Sequence, residues 1–212
     1  MRQTMDSKRI EQQMRFLAEI DRMKAVYRQT LLIDRSRTET DAEHSWHLAM
    51  MAMTLFEYCK DPSVDLLRVL QMVLVHDLVE IYAGDTFAYD AEGNRTKAKR
   101  EKEAADRLFT MLPAEQGAAY RALWEEFDSV QTPDARFATA MDRLQPFLNN
   151  YMTEGHSWQQ RHVTENQVRT RIGMIEDTVP EIWPCVERML AECVEKGWLI
   201  PGDGNPQDLR NR

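Results

Sequence analysis

Apolar residues recur along most of the chain at the 3.6-residue spacing of an amphipathic α-helix, and no run of alternating β-branched residues competes with them. The first such segment extends from about Ser7 to Gln29 and has charged residues on its other side. Its apolar positions are Ile10, Met14, Leu17, Ile20, Met23 and Val26. The pattern predicts an all-α fold.

Capping and helix-breaking residues set the limits of the next helices. The segment 40–43, Thr-Asp-Ala-Glu, has the form of a capping box, so a second helix should begin at about Asp41. Asp-Pro-Ser at 61–63 should end it, and Ser63 can cap a third helix that extends to about Ala83. The turn-rich segment 84–94 then predicts a loop.

The second half of the chain also has helical periodicity, interrupted by a polar connector around His156 and His162 that we interpret as a loop. The periodicity predicts helices over Thr96 to Met111, Asn166 to Asp177 and Pro180 to Lys196. Between the first and second of these it predicts two more: one has Pro113 in its first turn, and the other starts at Thr132-Pro133 and can be kinked by Pro146. We expect a single-domain bundle of about seven or eight helices over residues 1–200, and a disordered tail over 201–212.

Composition limits the class of protein. The chain has 212 residues, of which 43% are hydrophobic and 29% charged, as in a globular domain with a sizeable core. It has no apolar stretch of membrane-spanning length and no apolar signal core at its N-terminus, so we expect a cytoplasmic location. Three cysteines are too few for a disulfide framework, and a net charge of −8 argues against binding to the nucleic-acid backbone.

The dipeptide His76-Asp77 is the strongest chemical signal because it closes the apolar run 66–75. Unpaired charge at the inner end of a buried helix is costly, whereas one cation can satisfy an imidazole and a carboxylate together. His44 and Asp142 lie on two other predicted helices and are ligands of the same kind. The sequence therefore predicts a metal site built from several helices.

The order of these residues resembles the metal site of the HD-domain phosphohydrolases, and most closely the 5′-deoxynucleotidase branch. The resemblance extends from Met23 to Met152. It rests on four segments, Met-Lys-Ala-Val-Tyr-Arg at 23–28, Ala-Glu-His-Ser at 42–45, His-Asp-Leu-Val-Glu at 76–80 with Gly-Asp at 84–85, and Met-Asp at 141–142. It implies hydrolysis of (deoxy)nucleoside 5′-monophosphates to nucleoside and phosphate, by a homodimer.

The resemblance also implies roles for individual residues. One divalent metal ion (Mn, Co, Fe, Ni, Zn or Mg) would be bound by His44, His76, Asp77 and Asp142. Glu80, three residues after Asp77 and so on the same helical face, would transfer a proton or orient water. Arg28 would contact the substrate phosphate and Asp85 a sugar hydroxyl.

The sequence leaves several alternatives open. In the bacterial branch a Trp that helps to exclude a 2′-hydroxyl follows the first-helix Arg, but here the next residue is Gln29, so selectivity for deoxyribose is in doubt. Cyclic or polyphosphorylated nucleotides remain alternative substrates, and a non-enzymatic module that keeps the metal as a structural staple is a third reading. His47 is a possible additional ligand. Further candidates for phosphate contacts are Arg95, Lys97, Lys99 and Arg100.

Overall fold

The computed structural model of the protein describes residues 7–203 and confirms one predominantly α-helical domain. Its α-helices are α1 Ser7–Ile20, α2 Asp41–Leu55, α3 Leu66–Val75, α4 Glu80–Ala83, α5 Ala91–Phe109, α6 Ala114–Ser129, α7 Pro133–Met152, α8 His156–Arg161, α9 Glu165–Ile172, α10 Met174–Thr178 and α11 Trp183–Glu195. Two strands, β1 Tyr27–Leu31 and β2 Thr38–Thr40, and two short 3-10 helices, Asp21–Ala25 and Phe56–Tyr58, complete the described elements.

The first predicted helix is too long. The α-helix ends at Ile20, continues as the 3-10 helix, and is followed by β1, which pairs antiparallel with β2. Tyr27 pairs with Thr40 and Leu31 with Thr38. The 3-10 helix keeps a spacing close to that of the α-helix, while Tyr and Thr favour a strand once a partner strand is present. Arg28 therefore lies on a strand and not on the first helix.

The third predicted helix is divided. Asp65 caps α3 by accepting a hydrogen bond from the Leu67 amide at 2.9 Å, whereas the Ser63 hydroxyl donates to Asp61. The helix then ends at Val75, and a turn over 76–79 carries the His-Asp pair before α4 begins. The prediction of one continuous helix from Ser63 to Ala83 is therefore wrong.

Later boundaries also differ from the predicted ones. Asp90 caps α5, so the loop after Gly84 is shorter than predicted. The polar connector around His156 contains α8, whose Trp158 side chain is buried. The predicted helix over 166–177 is divided at Gly173 into α9 and α10. These short helices account for the larger number of elements in the described part of the chain.

The core places three helices around one point. The helices α2, α3 and α7 pack against one another, with Leu48, Met72, Phe137 and Met141 fully buried among them. The capping box predicted at the start of α2 is present, and α7 begins at Pro133, as predicted, with Thr132 as its cap. The first turn of α2, the end of α3 and the middle of α7 consequently face the same point in the interior.

Residues at the C-terminal end of the described chain contact α9. Gly202 donates its amide hydrogen to Glu165 Oε2 at 3.2 Å, and Asn166 Nδ2 donates to Asp203 Oδ1 at 2.8 Å. The rest of the tail predicted as disordered, residues 204–212, lies outside the described residues, as do residues 1–6. Among the described helices, none combines the length and the apolar character needed to cross a bilayer.

Candidate metal centre and its pocket

The four residues predicted as metal ligands come together where α2, the turn after α3, and α7 meet. One donor atom each of His44, His76 and Asp142 forms a group in which all atoms lie within 4.8 Å of one another. Asp77 Oδ2 lies 3.0 Å from His76 Nε2 and 3.8 Å from His44 Nε2. The structure thus brings these four side chains to one place, and His44 is fully buried there.

Hydrogen bonds on the far side of each imidazole indicate which nitrogen faces the cluster as an acceptor. His76 Nδ1 lies 2.9 Å from the carbonyl oxygen of Val73, which can only accept, so this nitrogen carries the hydrogen. His44 Nδ1 likewise lies 2.9 Å from Gln145 Oε1. When the rings are neutral, both Nε2 atoms present a lone pair towards the carboxylates of Asp77 and Asp142.

Four acceptor groups that face one another need a cation between them. His44 Nε2 lies 3.1 Å from Asp142 Oδ1, and His76 Nε2 is buried without a hydrogen-bond partner of acceptable geometry among the described residues. Two imidazoles and two carboxylates are the donors that divalent transition metals prefer. The residues present therefore fit a divalent metal ion.

The pKa values of His76 and Asp77 also show that positive charge is favoured between the carboxylates. Burial disfavours a charged imidazole, yet the neighbouring carboxylates, Asp77 first, raise the pKa of His76 to about 10. Burial would raise the pKa of Asp77, but His76 and then Arg28 hold it well below its usual range. A metal ion would satisfy the carboxylates without this proton.

Arg28 is bound to the acidic side of the cluster. Its Nη1 donates to Asp77 Oδ2 at 2.8 Å and to Asp41 Oδ1 at 3.1 Å, and its Nε lies 3.9 Å from Glu39 Oε2. Three carboxylates around one largely buried guanidinium keep it in place, and its direct contact with Asp77 links it to the candidate metal ligands. Arg28 also lines the pocket above them.

Glu80 lies beside two other acidic side chains. Carboxylate oxygens of Glu80, Asp41 and Asp85 all lie within 4.8 Å of one another. Gly84, with a φ of +74°, ends α4 and lets the chain turn so that Asp85 reaches this position. Burial, then Asp77 and Asp41, raise the pKa of Glu80 well above its usual value, and burial raises that of Asp41 to about 7. These oxygens could also bind a hard cation such as Mg²⁺.

A buried amide holds His44 from behind. Gln145 Nε2 donates to Glu39 Oε1 at 2.6 Å, which fixes the orientation of the amide and leaves its oxygen free to accept from His44. The same Nε2 lies 3.2 Å from His47 Nδ1. His47 therefore joins this network behind the cluster and does not belong to the group of candidate ligand atoms.

The loop after α4, through residues 85–89, and α5 line part of the pocket above the cluster. Of the four cations considered on α5, only Lys97 lines the pocket. Arg100 instead holds the loop, because it donates to the Ala83 carbonyl oxygen and to Thr86 Oγ1. Arg95 and Lys99 are exposed and pair with acidic neighbours on the same helix.

Gln29, a residue of the pocket wall, is held by an arginine from outside the pocket lining. Gln29 lines the pocket next to Arg28, and its Oε1 accepts a hydrogen bond from Arg161 Nη2 at 3.0 Å. The Arg161 guanidinium also lies 5.7 Å from the centre of the Phe87 ring. Arg161 therefore contacts two residues of the pocket wall, Gln29 and Phe87.

Sequence reasoning missed Glu39, Asp41 and Gln145. Gln145 follows Asp142 by three residues and so shares its helical face, the same relation that singled out Glu80 after Asp77. Glu39 and Asp41 flank the capping Thr40, and no sequence pattern indicates that this hairpin end turns inwards. Their buried carboxylates are functional candidates only because the strand pairing places them beside Arg28.

The chain is similar to proteins with a phosphohydrolase name. Residues 20–183 match the family model described as HD domain. A crystal structure of a predicted metal-dependent phosphohydrolase from Magnetospirillum magnetotacticum MS-1 is 47% identical, with a TM-score of 0.87, and the match covers 92% of this chain and 97% of that one.

Curated relatives match over shorter stretches. The human 5′-deoxynucleotidase HDDC2 is 30% identical over 112 residues, 53% of each chain. The 5′-deoxynucleotidase of Erwinia tasmaniensis is 33% identical over 122 residues, 52% of this chain and 59% of that protein. The match thus spans between half and two thirds of the length of these relatives.

The family match covers most of the chain, including all four candidate ligands, Glu80, Arg28 and Asp85. It confirms the resemblance seen in the sequence, and with it the expectation of an enzyme. The chain belongs to the HD-domain family.

Proposed function

We propose that the protein is a metal-dependent phosphomonoesterase that hydrolyses nucleoside 5′-monophosphates, including the deoxy forms, to nucleoside and phosphate. One observation carries the proposal: two imidazoles and two carboxylates, those of His44, His76, Asp77 and Asp142, converge at the inner end of a pocket that is lined by further cations. We call these four residues the floor of the pocket. The names of the relatives support the substrate class. His44, His76, Asp77 and Asp142 are the proposed metal ligands.

The chain's own residues account for proton transfer in this proposal. A divalent cation, when bound, supplies polarisation of a phosphoryl oxygen and makes a nearby water molecule more acidic. Glu80 is the proposed proton-transfer group, because it is buried beside Asp77 and can exchange a proton with a nearby water molecule. Burial, and then the charges of Asp77 and Asp41, raise its pKa well above the usual carboxyl value.

Two residues of the pocket have proposed contacts with substrate. Arg28 is a permanent cation beside Asp77 and would attract the phosphate to the metal side of the pocket. Asp85 lies next to Glu80 and Asp41 and would accept a hydrogen bond from a sugar hydroxyl. Burial raises the pKa of Asp85, and Arg28 counteracts this rise.

Because Gln29 occupies the position after Arg28, we expect activity on both ribonucleoside and deoxyribonucleoside monophosphates. A Gln side chain held by Arg161 offers a smaller and more polar wall than the Trp of the bacterial branch, and its amide can hydrogen-bond a hydroxyl. The pocket would therefore not exclude a 2′-hydroxyl. Ribonucleoside and deoxyribonucleoside 5′-monophosphates should be hydrolysed at rates within about tenfold of each other, a difference of about 1.4 kcal/mol in activation free energy.

The test is phosphate release from a panel of ribo- and deoxyribonucleoside 5′-monophosphates. Chelator-stripped protein is supplied in turn with Mn²⁺, Co²⁺, Mg²⁺, Ni²⁺ and Zn²⁺. The proposal predicts no release before metal is added and release with at least one of these ions. Absence of release with every ion and every nucleotide would refute the monophosphatase, and would direct attention to cyclic or polyphosphorylated nucleotides or to a structural metal.

Two further expectations rest on the sequence and the resemblance alone. We propose that the protein is a homodimer, to be checked by light scattering coupled to size-exclusion chromatography. Within α11, Trp183, Val186 and Leu190 are buried within the chain and so are not free to form the dimer interface, whereas Met189 is partly exposed. A cytoplasmic location stays a prediction.

A further inference from the structure

Two arginines lie side by side on the wall of the pocket, beyond the candidate metal ligands. Arg143 directly follows Asp142 on α7, and its Nη1 donates to the backbone carbonyl oxygen of Arg171 at 3.0 Å, near the end of α9. Arg171 Nη2 lies 3.8 Å from Asp142 Oδ2. Both side chains line the same pocket as His76, Asp77 and Glu80.

The charge of this pair is poorly balanced by the protein. Within residues 7–203, no carboxylate lies within ion-pair distance of Arg143. The carboxylate nearest to Arg171, Asp142, already faces two imidazoles as a candidate metal ligand. Arg28 differs, since three carboxylates surround it. Two neighbouring partly buried cations without their own counter-ions would be stabilised by an anion from solution.

The arginine pair also connects two cavities. A second open cavity lies on the side away from the metal ligands, and both cavities are lined by Ala88, Tyr89, Arg143 and Arg171. Polar side chains of α9, Asn166, Gln167 and Thr170, line the second cavity. A ligand bound at the metal can therefore extend past the arginines without crossing the core.

We propose that Arg143 and Arg171 form a second anion subsite, which binds a phosphate group other than the one being hydrolysed. This inference rests on the proposed function. Guanidinium groups bind phosphate through paired, charge-assisted hydrogen bonds, and a neutral base or sugar would leave their mutual repulsion uncompensated. The ligands that fit are nucleotides with a second, separate phosphate, such as a nucleoside 3′,5′-bisphosphate, or free inorganic phosphate beside a monophosphate.

The test compares the binding of three probes to the protein by isothermal titration calorimetry. The probes are adenosine 3′,5′-bisphosphate, adenosine 5′-monophosphate and inorganic phosphate, each added to full-length chelator-stripped protein so that nothing is hydrolysed. We expect the bisphosphate to bind at least about tenfold more tightly than the monophosphate, and this ratio to fall towards one in Arg143→Gln and in Arg171→Gln. Arg143→Lys, which keeps the charge but loses the paired donors, should give an intermediate ratio.

Arg169→Gln is the matched control. It removes the same charge from α9, but Arg169 does not line the pocket and is paired with Glu165 and Glu187, so the affinity ratio should stay at the parent value. Thermal unfolding of each variant, followed by circular dichroism, distinguishes loss of the subsite from loss of the folded structure. If Arg143→Gln does not fold, Arg171→Gln tests the subsite in its place.

The outcomes assign the source of the phosphate. A preference for the bisphosphate that depends on Arg143 supports a subsite for the substrate's second phosphate. Equal affinity for the two nucleotides, with binding of inorganic phosphate that is lost in Arg143→Gln, supports a subsite for free phosphate. The inference is overturned if no probe responds to either arginine substitution. Because binding is measured without turnover, this result is independent of whether the monophosphates are hydrolysed.

Discussion

The floor and the rim of the pocket are built differently. On the floor, His44 and Asp142 come from helices that pack in the core, and His76 and Asp77 come from the turn that directly follows another core helix. Each of the four is held by a hydrogen bond or an ion pair from behind. The rim consists of the loop over 84–90, one end of a hairpin and the ends of short helices, and its side chains are partly exposed. We infer that the floor sets the chemistry, while the rim sets which phosphate ester is bound.

Loss of one proposed ligand should have the largest effect. Asp77→Ala removes a carboxylate from the floor and leaves Arg28 and His76 without it, so both metal binding and phosphate release should fall below detection. Metal content after dialysis and a phosphate-release assay measure the two effects. An Asp77→Ala protein that keeps the metal and the parent rate would show that the floor has been misassigned.

Glu80→Gln should separate chemistry from metal binding. The amide has almost the same shape but cannot take a proton, so turnover should fall by about 10²- to 10⁴-fold while metal affinity changes little. Turnover and calorimetric metal affinity are measured on the same preparation. Glu80 would lose its proposed role if the variant worked at the parent rate. If it instead lost the metal, Glu80 would be a ligand.

Gln145→Met should weaken the metal site without touching the metal. The substitution keeps the length of the side chain but removes the acceptor for His44 Nδ1 and the donor to Glu39. Loss of such a supporting contact typically lowers metal affinity by about 10- to 100-fold. The control is Arg136→Gln, an exposed change on the same helix. Equal metal affinity in both variants would mean that the network does not orient His44.

Arg100→Gln should affect the rim alone. This arginine holds the loop through the Ala83 carbonyl oxygen and Thr86 Oγ1, so its loss should raise KM by about tenfold or less and leave metal affinity unchanged. Lys99→Gln, an exposed neighbour paired with Glu103, is the control and should leave KM unchanged. A large loss of metal in Arg100→Gln would contradict the separation of rim from floor.

The floor and the rim of the pocket also differ in how far they could be predicted from the sequence. The floor was accessible because three of its four proposed ligands carry a local signal: His76-Asp77 ends an apolar run, and His44 follows a capping box. The rim was accessible only in part: the turn residues predicted its loop and Asp85 within it, but the rest depends on contacts between segments that are far apart in the sequence. Tyr27 to Leu31 has a helix-like spacing that strand pairing with Thr38 to Thr40 overrides, and nothing in the sequence brings Arg171 beside Arg143.

The central claim is that the floor is completed by a divalent cation on which turnover depends. The most direct measurement is a titration of chelator-stripped protein with Mn²⁺, in which calorimetry and release of phosphate from a deoxynucleoside 5′-monophosphate are followed on the same samples. The account predicts that release is absent at the start, rises with the binding of one Mn²⁺ per chain, and fails to rise in His44→Ala. Full release before any metal is added, or equal metal binding and release in His44→Ala, would contradict it.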